Sequence, residues 1–495
     1  MGAVEHVLTR RAIAAAALLA LLALSLWLRS RALDGALWID EAISHGIASH
    51  PLAEIPGVLR QDGSPPLYYV LLHGWLELFG DSEAALRSLS LLAALLTVPA
   101  ALWAGTVAGG MRAGWIAAVL AALNPFLTIY AQEARMYALV ALLSVLACGS
   151  FVRGFVDEIA WQRALFALEL ALLLYTHAWA IFLGLGFAAA AAYQLRDRLR
   201  DAAVPFFVAA LAFTPWVPTL VDQALHTGAP WSKTPSVTAL LGAVPGALDG
   251  GGGAAAVIAV GALGLVRLRR DDRVVRIALL ILIVALVALA AAWVSSHVSP
   301  SWANRYLAVV VGPVILLAAL GLRAAGRVGL AAAAIVSGLW LTFSVEPDKS
   351  NARAVAEAAR PLPPRTLVVS TQPEQVPLLV YYLDGGHRFA TPLGPVADLR
   401  VMDWRDALPR LRAVDAGDFG VVVAPLAPGE SLALVVPLPA DRGWDAPWQR
   451  EVRLVTDEWT AAARADERLR EVGTVAERPV ERSRTDVELL LFERV

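Results

Sequence analysis

The chain has 495 residues, of which 58% are hydrophobic and only 17% charged, far from the balance of an average soluble protein. Its formal charge of −2 argues against a nucleic-acid partner, which calls for a basic face. The single cysteine, Cys148, excludes an intramolecular disulfide and a cysteine-based structural zinc site.

Leucine and alanine supply most of the apolar excess, in long uninterrupted runs. A helix needs about 20 apolar residues to cross a bilayer, and several stretches reach that length. The chain therefore reads as an α-helical polytopic membrane protein. Arg10 and Arg11 followed by the apolar run 12–28 have the look of a signal peptide, but no small-residue cleavage pattern follows. An uncleaved first helix is the better reading. The predicted spans are 11–29, 84–105, 113–130, 136–153, 163–176, 178–194, 203–220, 237–267, 274–294, 305–322 and 327–345, about 11 by apolar length. Residues 163–194 fit one tilted helix or two short ones. Charge favours two, turning at Thr176-His177, because one helix would strand Arg196, Arg198 and Arg200 on the opposite side from the other basic loops. The 237–267 stretch, broken by Pro245 and Gly250–Gly253, fits a kinked helix or a re-entrant segment plus a helix. With the N-terminus inside, Arg112, Arg153, Arg163, the runs 196–200 and 267–273, Arg323 and Arg327 all fall on the cytoplasmic side, where Lys and Arg concentrate. The transmembrane domain is thus expected over 1–345, with a first outer loop at 30–83 carrying interfacial helices. Residues 346–495 read as a soluble α/β domain placed outside by parity. Strand-like runs lie at Thr366–Ser370, Phe419–Ala424 and Glu488–Phe492, with a helix-like stretch at Trp448–Arg470.

Sorting polar residues by side collects Asp40, Glu41, His45, His50, Asp62, Gln132, Glu133, Arg135, His177, His226, Lys233, His297 and Arg305 in the outer loops. In the run Leu37-Trp38-Ile39-Asp40-Glu41, adjacent carboxylates point in different directions, so one of the two faces any given site. A carboxylate screened from bulk water at the membrane boundary can act as a general base; the bland alternative is a solvated loop start. The apolar stretch that follows Asp62-Gly63-Ser64-Pro65-Pro66-Leu67-Tyr68-Tyr69 is too short to span and suits an interfacial or re-entrant helix begun at Pro66. Glu133 and Arg135, at the turn between two spans, either close the hairpin as a mutual pair or bind something. Arg305 is either an interfacial anchor or a partner for a lipid phosphate, whose oxygens a guanidinium grips in pairs. Glu169, inside a span, is given no catalytic role.

Trp38–Ala42 (WIDEA), residues 62–90 (DGSPPLYYVLLHGWLELFGDSEAALRSLS), residues 130–139 (YAQEARMYAL) and Asn304-Arg305-Tyr306 together resemble bacterial family-39-type members of the C-type glycosyltransferase superfamily, relatives of protein O-mannosyltransferases and lipid A aminoarabinose transferases. The resemblance runs over roughly residues 30–345; Ser64 departs from it, since many relatives carry His there. It implies the C-type glycosyltransferase fold and inverting transfer of a sugar from a polyprenyl-phosphate donor to an extracytoplasmic acceptor, in a bacterial cell membrane. Asp40 would then be the general base, with Glu41 supporting it or touching the acceptor. Arg135 and Arg305, with His177 behind them, would take the donor phosphate. Asp62, Tyr68, Tyr69, Glu133, Tyr137 and Tyr306, in or beside these motifs, are expected to bind substrate. No cofactor is called for with certainty; a divalent metal is compatible with Asp40, Glu41 and the outer histidines, but no ligand spacing singles one out. The competing readings are a transporter or flippase, which favours polar groups at the midplane and repeated halves, and a membrane sensor.

Overall fold

The computed structural model describes residues 2–495 except 249, 268–272, 384–385, 440–443, 482 and 484, so most of the basic run read at 267–273 lies outside the described residues. Among the described residues, six helices are long and apolar enough to cross a membrane, with mean hydropathy from 1.7 for Leu199–His226 to 3.1 for Arg273–Val298. The shorter apolar helices Ala180–Gln194, Gly252–Val266 and Arg327–Trp340 accompany them. The chain is a multi-pass membrane protein.

The 41-residue helix Glu83–Leu123 is two helices joined at Gly109-Gly110. Gly110 has φ 78° and ψ 176°, a region in practice open only to glycine. The fold-back brings Gly105 against the Ala113 carbonyl, Gly114 and Ala117, though a continuous helix would hold residues 105 and 117 about 18 Å apart. The stretches expected at 84–105 and 113–130 are thus antiparallel neighbours with Arg112 at their turn. Asn124 interrupts the returning helix. Its side chain accepts from the Leu127 N–H at 2.9 Å with Pro125 in the first turn, and the chain restarts as Pro125–Ala131.

The ambiguous stretch 163–194 is also a helical hairpin. Ala160–Thr176 and Ala180–Gln194 pack with Phe166 against Phe187, ring centroids 5.1 Å apart, and turn at residues 177–179. The 237–267 stretch opens as two short helices, Val237–Leu241 and Ala243–Gly246, before Gly252–Val266. Helices meet through small residues: Gly264 lies against the Gly321 backbone and Gly312 against Ser144, where a missing Cβ lets backbones approach closely. Three short helices, Ile39–Ala48, Ile55–Asp62 and Leu67–Phe79, separate the first long helix from the second.

Beyond Trp340 the chain forms a six-stranded sheet from β1 (Leu367–Ser370), β2 (Arg388–Thr391), β3 (Gly394–Pro395), β4 (Ser431–Pro437), β5 (Leu469–Val475) and β6 (Val487–Arg494), in the order β3-β2-β1-β4-β6-β5. β1 runs parallel to β2 and β4, and the other pairs are antiparallel. The run Phe419–Ala424 expected as a strand is instead the helix Ala416–Val423. Asp415 accepts from the Gly417 N–H at 2.7 Å while Asp418 accepts from the Asp415 N–H at 3.0 Å. That reciprocal cap starts a helix despite a β-branched sequence that favours strand. The helix expected over Trp448–Arg470 is Pro447–Ala465, and its tail belongs to β5. Trp448, Val452, Val455, Trp459 and Ala463 form its buried stripe at helical spacing.

The sheet is clasped to the loop after the first helix. Lys349 N–H donates to the Ala36 carbonyl at 3.1 Å, Ser350 Oγ to the Leu37 carbonyl at 2.6 Å, and Trp404 N–H to the Gln61 carbonyl at 2.9 Å. His50 Nε2 lies 2.7 Å from Asp398, and His226 pairs with Asp406 at 3.2 Å. Several polar residues that the sequence placed in outer loops therefore hold the sheet in position.

Candidate active site

Five segments far apart in sequence (38–65, 135–137, 177–182, 220–231 and 295–306) meet at one end of the helix bundle around a cavity of about 470 Å³. The sheet region supplies a further wall that includes Gln372, Glu374, Trp404 and Gln449. Away from the cavity, Arg273 pairs with Asp157 and Arg198 with Glu158, each at 2.6 Å.

The helix Ile39–Ala48 carries Asp40 and Glu41 in its first turn, where carboxylates suit the positive helix end. Asp40 lines the cavity. Its Oδ2 is buried without a hydrogen-bond partner in the protein and stands 3.7 Å from the Arg305 guanidinium. Arg305 sits in the turn Asn304–Val310, with its guanidinium 5.5 Å from the Tyr306 ring centre and 5.9 Å from that of Trp38. Arg135 donates from Nη1 to Tyr69 Oη at 3.1 Å and to Ser44 Oγ at 3.2 Å, while its Nε has no partner. Burial opposes the Arg135 charge, but Tyr69, Tyr137, Asp40 and Asp62 more than offset this and hold its pKa well above the ordinary value. Asp62 also lines the cavity with an unpartnered Oδ2; burial pushes its carboxyl upward against the opposing pull of Arg135.

His177 lines the same cavity in a different state from the one expected of a phosphate-binding cation. Burial, with Arg135 and Arg305 nearby, lowers its pKa to about 3, so the ring is neutral at physiological pH. Its Nδ1 accepts from the Trp179 N–H at 3.1 Å, which leaves the proton on Nε2 as a single donor. Tyr137 and Tyr306 flank it at 5.9 and 4.9 Å between ring centroids.

Four of the expected site residues stand behind the cavity rather than on its wall. Glu41 is fully buried, gripped by Arg87 Nε at 2.7 Å and Nη2 at 2.8 Å, and accepts from the Ala134 N–H at 2.9 Å. Glu133 is buried 3.8 Å from Lys349, which also lies 3.4 Å from Glu41. Tyr69 braces Arg135 as described. Tyr68 Oη is 2.9 Å from Ser90 Oγ, which donates to the Arg135 carbonyl at 2.9 Å. The adjacent carboxylates thus divide their tasks: Asp40 faces the cavity and Glu41 faces the protein.

Sequence reasoning missed the sheet-region wall, Arg87 and Lys349. Arg87 was legible only as part of the 62–90 resemblance, and Lys349 sits in no motif. Among the described residues, no group of three or more His, Cys, Asp or Glu side chains is placed to hold a metal ion.

No family model matches the sequence, and neither does any curated protein. The structure is similar to ArnT from Cupriavidus metallidurans in the apo state, with a TM-score of 0.64 and 15% identity over 99% of this chain and 98% of that one. ArnT bound to undecaprenyl phosphate gives 0.63 and 14% over 96% and 97%. The archaeal oligosaccharyltransferase AglB from Archaeoglobus fulgidus, in complex with an inhibitory peptide and a dolichol-phosphate, gives 0.51 and 13% over 90% and 72%. The arabinofuranosyltransferase AftD from Mycobacteria gives 0.54 and 15% over 96% of this chain but 41% of its own length. These are C-type glycosyltransferases, and this chain has their fold.

Proposed function

We propose that the chain is a membrane glycosyltransferase that moves a sugar, with inversion, from a polyprenyl-phosphate donor to an acceptor outside the cytoplasm. One observation carries the reading. In a chain of this fold, a buried carboxylate oxygen of Asp40 without a protein hydrogen bond shares a cavity with two arginines, Arg305 at 3.7 Å and Arg135. ArnT is known bound to undecaprenyl phosphate and AglB to a dolichol-phosphate, which supports the donor class.

The chemistry follows from those groups. Asp40 accepts the proton of the acceptor hydroxyl as the oxygen attacks the anomeric carbon, and the bond from that carbon to the phosphate oxygen breaks on the opposite side. Negative charge then grows on the leaving phosphate. The unpartnered Nε groups of Arg135 and Arg305 are donors for it, and the neutral His177 adds one N–H. The donor's isoprenoid chain stays among lipids while its phosphate reaches the cavity, so no nucleotide-binding loop is needed. The site opens on the extracytoplasmic side, with the N-terminus cytoplasmic and the sheet region outside.

The test uses purified enzyme in lipid nanodiscs with a panel of polyprenyl-phosphate sugars and envelope acceptors. Asp40→Asn keeps the size of the side chain and removes the base, so turnover should fall by roughly 10²–10⁴ while donor binding persists. Full turnover in that variant overturns the base assignment.

A further inference from the structure

The transfer described above uses the cationic part of the cavity and leaves the sheet-region wall without a task. Glu374 sits in the short turn Pro373–Gln375 after β1 and is only 4% exposed. Its Oε1 accepts from Gln372 Nε2 and from Trp448 Nε1, each at 2.7 Å. Its Oε2 is buried, has no hydrogen-bond partner, and belongs to a side chain that lines the cavity. Burial lifts its carboxyl to about 6, and the charge of Asp40 adds to the effect, so it is still mostly ionised at neutral pH.

Glu374 has company. Gln449 Oε1 and Gln223 Oε1 are unpartnered acceptors lining the same cavity, and Trp231 Nε1 and Trp444 Nε1 are unpartnered donors there. Among the described residues, the sheet region brings no lysine or arginine to the cavity. A phosphate does not suit this wall, because Glu374 repels it, the two amide oxygens cannot donate to it, and the two neutral indole N–H groups bring no charge to balance it. A lipid tail does not suit it either, since each of those polar atoms would lose water for no partner. The wall fits a ring bearing hydroxyls, each of which can donate one bond and accept others, with indole surfaces alongside for the apolar faces of that ring.

We propose that this wall is a sugar-binding subsite, in which Glu374 Oε2 accepts a hydrogen bond from a sugar hydroxyl. The inference rests on the transfer reading and deepens it. The sugar is either the glycosyl group of the donor or a glycan acceptor, and the two sources separate experimentally.

The experiment measures equilibrium binding to the full-length protein in nanodiscs. Its probes are bare undecaprenyl phosphate, a panel of undecaprenyl-phosphate hexoses and pentoses, and methyl glycosides of the same sugars added with undecaprenyl phosphate already bound. Glu374→Gln retains an oxygen for Gln372 and Trp448 but turns the free acceptor into an N–H donor. Trp444→Phe removes one indole N–H and keeps the packing. If the donor sugar occupies the wall, Glu374→Gln weakens the preferred glycosylated lipid about tenfold or more and leaves the bare lipid unchanged. If an acceptor sugar occupies it, both lipids bind as before and the preferred methyl glycoside loses its binding. Trp444→Phe should move the same probe in the same direction. The subsite is overturned if no sugar-bearing probe distinguishes the variants from the wild type, or if Glu374→Gln weakens the bare lipid as much as the glycosylated one. A wild-type protein that binds neither lipid instead refutes the transfer reading, and the methyl glycosides then judge the subsite alone.

Discussion

Glu41 joins two parts of the site, and removing its partner Arg87 should show how strongly. The guanidinium of Arg87 makes two bonds to the Glu41 carboxylate, at 2.7 and 2.8 Å, and donates to the carbonyls of Ala32, Leu33, Gly35 and Ala36 at 2.7–3.1 Å. Both side chains are 0% exposed. Arg87→Met leaves a buried carboxylate with only Lys349 and the Ala134 N–H for company, and such a break costs about 3–5 kcal/mol. The titration of Glu41 gives a similar size. Burial raises its pKa, but Arg87 and Lys349, with bonds from Arg87 and Ala134, reverse this and bring it from 4.5 to about 2. That difference corresponds to about 3 kcal/mol. Because the folded value is depressed, this stability is present above pH 4.5 and is lost as pH falls toward 2. In detergent, followed by tryptophan fluorescence, Arg87→Met should lower the thermal midpoint by roughly 3–10 °C, scaling the shift per kcal/mol of smaller proteins to a chain of this size. Arg87→Met with Glu41→Met should recover only part of it, because the four carbonyls still lack their donor. A midpoint for Arg87→Met within about 1 °C of wild type would refute the argument.

Two further outcomes test the site and its orientation. Arg305→Ala and Arg135→Lys should raise the donor KM more than they lower kcat at saturation, since lysine cannot reproduce the forked contact with phosphate; an unchanged dependence on donor concentration would remove either residue from phosphate binding. In Cys148→Ser protein, single cysteines replacing Ser49 and Arg450 should both react with a membrane-impermeant maleimide on intact cells, and protection of both would reverse the proposed topology.

What could be read from the sequence depended on whether the signal was local. The hairpin at 163–194 was legible because charge on flanking loops discriminates one helix from two, and Arg112 between the stretches 84–105 and 113–130 marked another turn in the same way. Asp40, Asp62, Arg135, His177 and Arg305 were legible as polar residues of the outer loops, and all five line one cavity; Tyr137, which lines it too, was expected only through the resemblance. The division between Asp40 and Glu41 was only half legible. Adjacency guarantees that they diverge, but which one meets protein depends on Arg87, 46 positions away. The helix Ala416–Val423 was misread because its β-branched run outweighed a cap formed by two aspartates. Glu374 carried no signal at all, since its burial, its free oxygen and its bond from Trp448, 74 positions away, arise only from tertiary packing.

The buried network also explains why the cavity-facing groups and the sheet are mechanically one unit. Glu41 is the neighbour of Asp40 in sequence, and the backbone N–H it holds, Ala134, is the neighbour of Arg135. One carboxylate therefore fixes the distance between Asp40 and Arg135 through two rigid peptide connections. Lys349 completes the link, because it lies 3.4 Å from Glu41, donates to the Gln132 carbonyl at 2.7 Å, and stands at the entrance to the sheet region. Burial lowers the Lys349 pKa, and Glu41 and Glu133 oppose that loss of charge. Any displacement of the sheet that withdrew Lys349 would leave two carboxylates buried near each other, Glu41 with Arg87 and Glu133 with only the weaker pull of Arg305. The electrostatic cost of that state favours the docked sheet, and docking is what brings Glu374 to the cavity that Asp40 and Arg305 face.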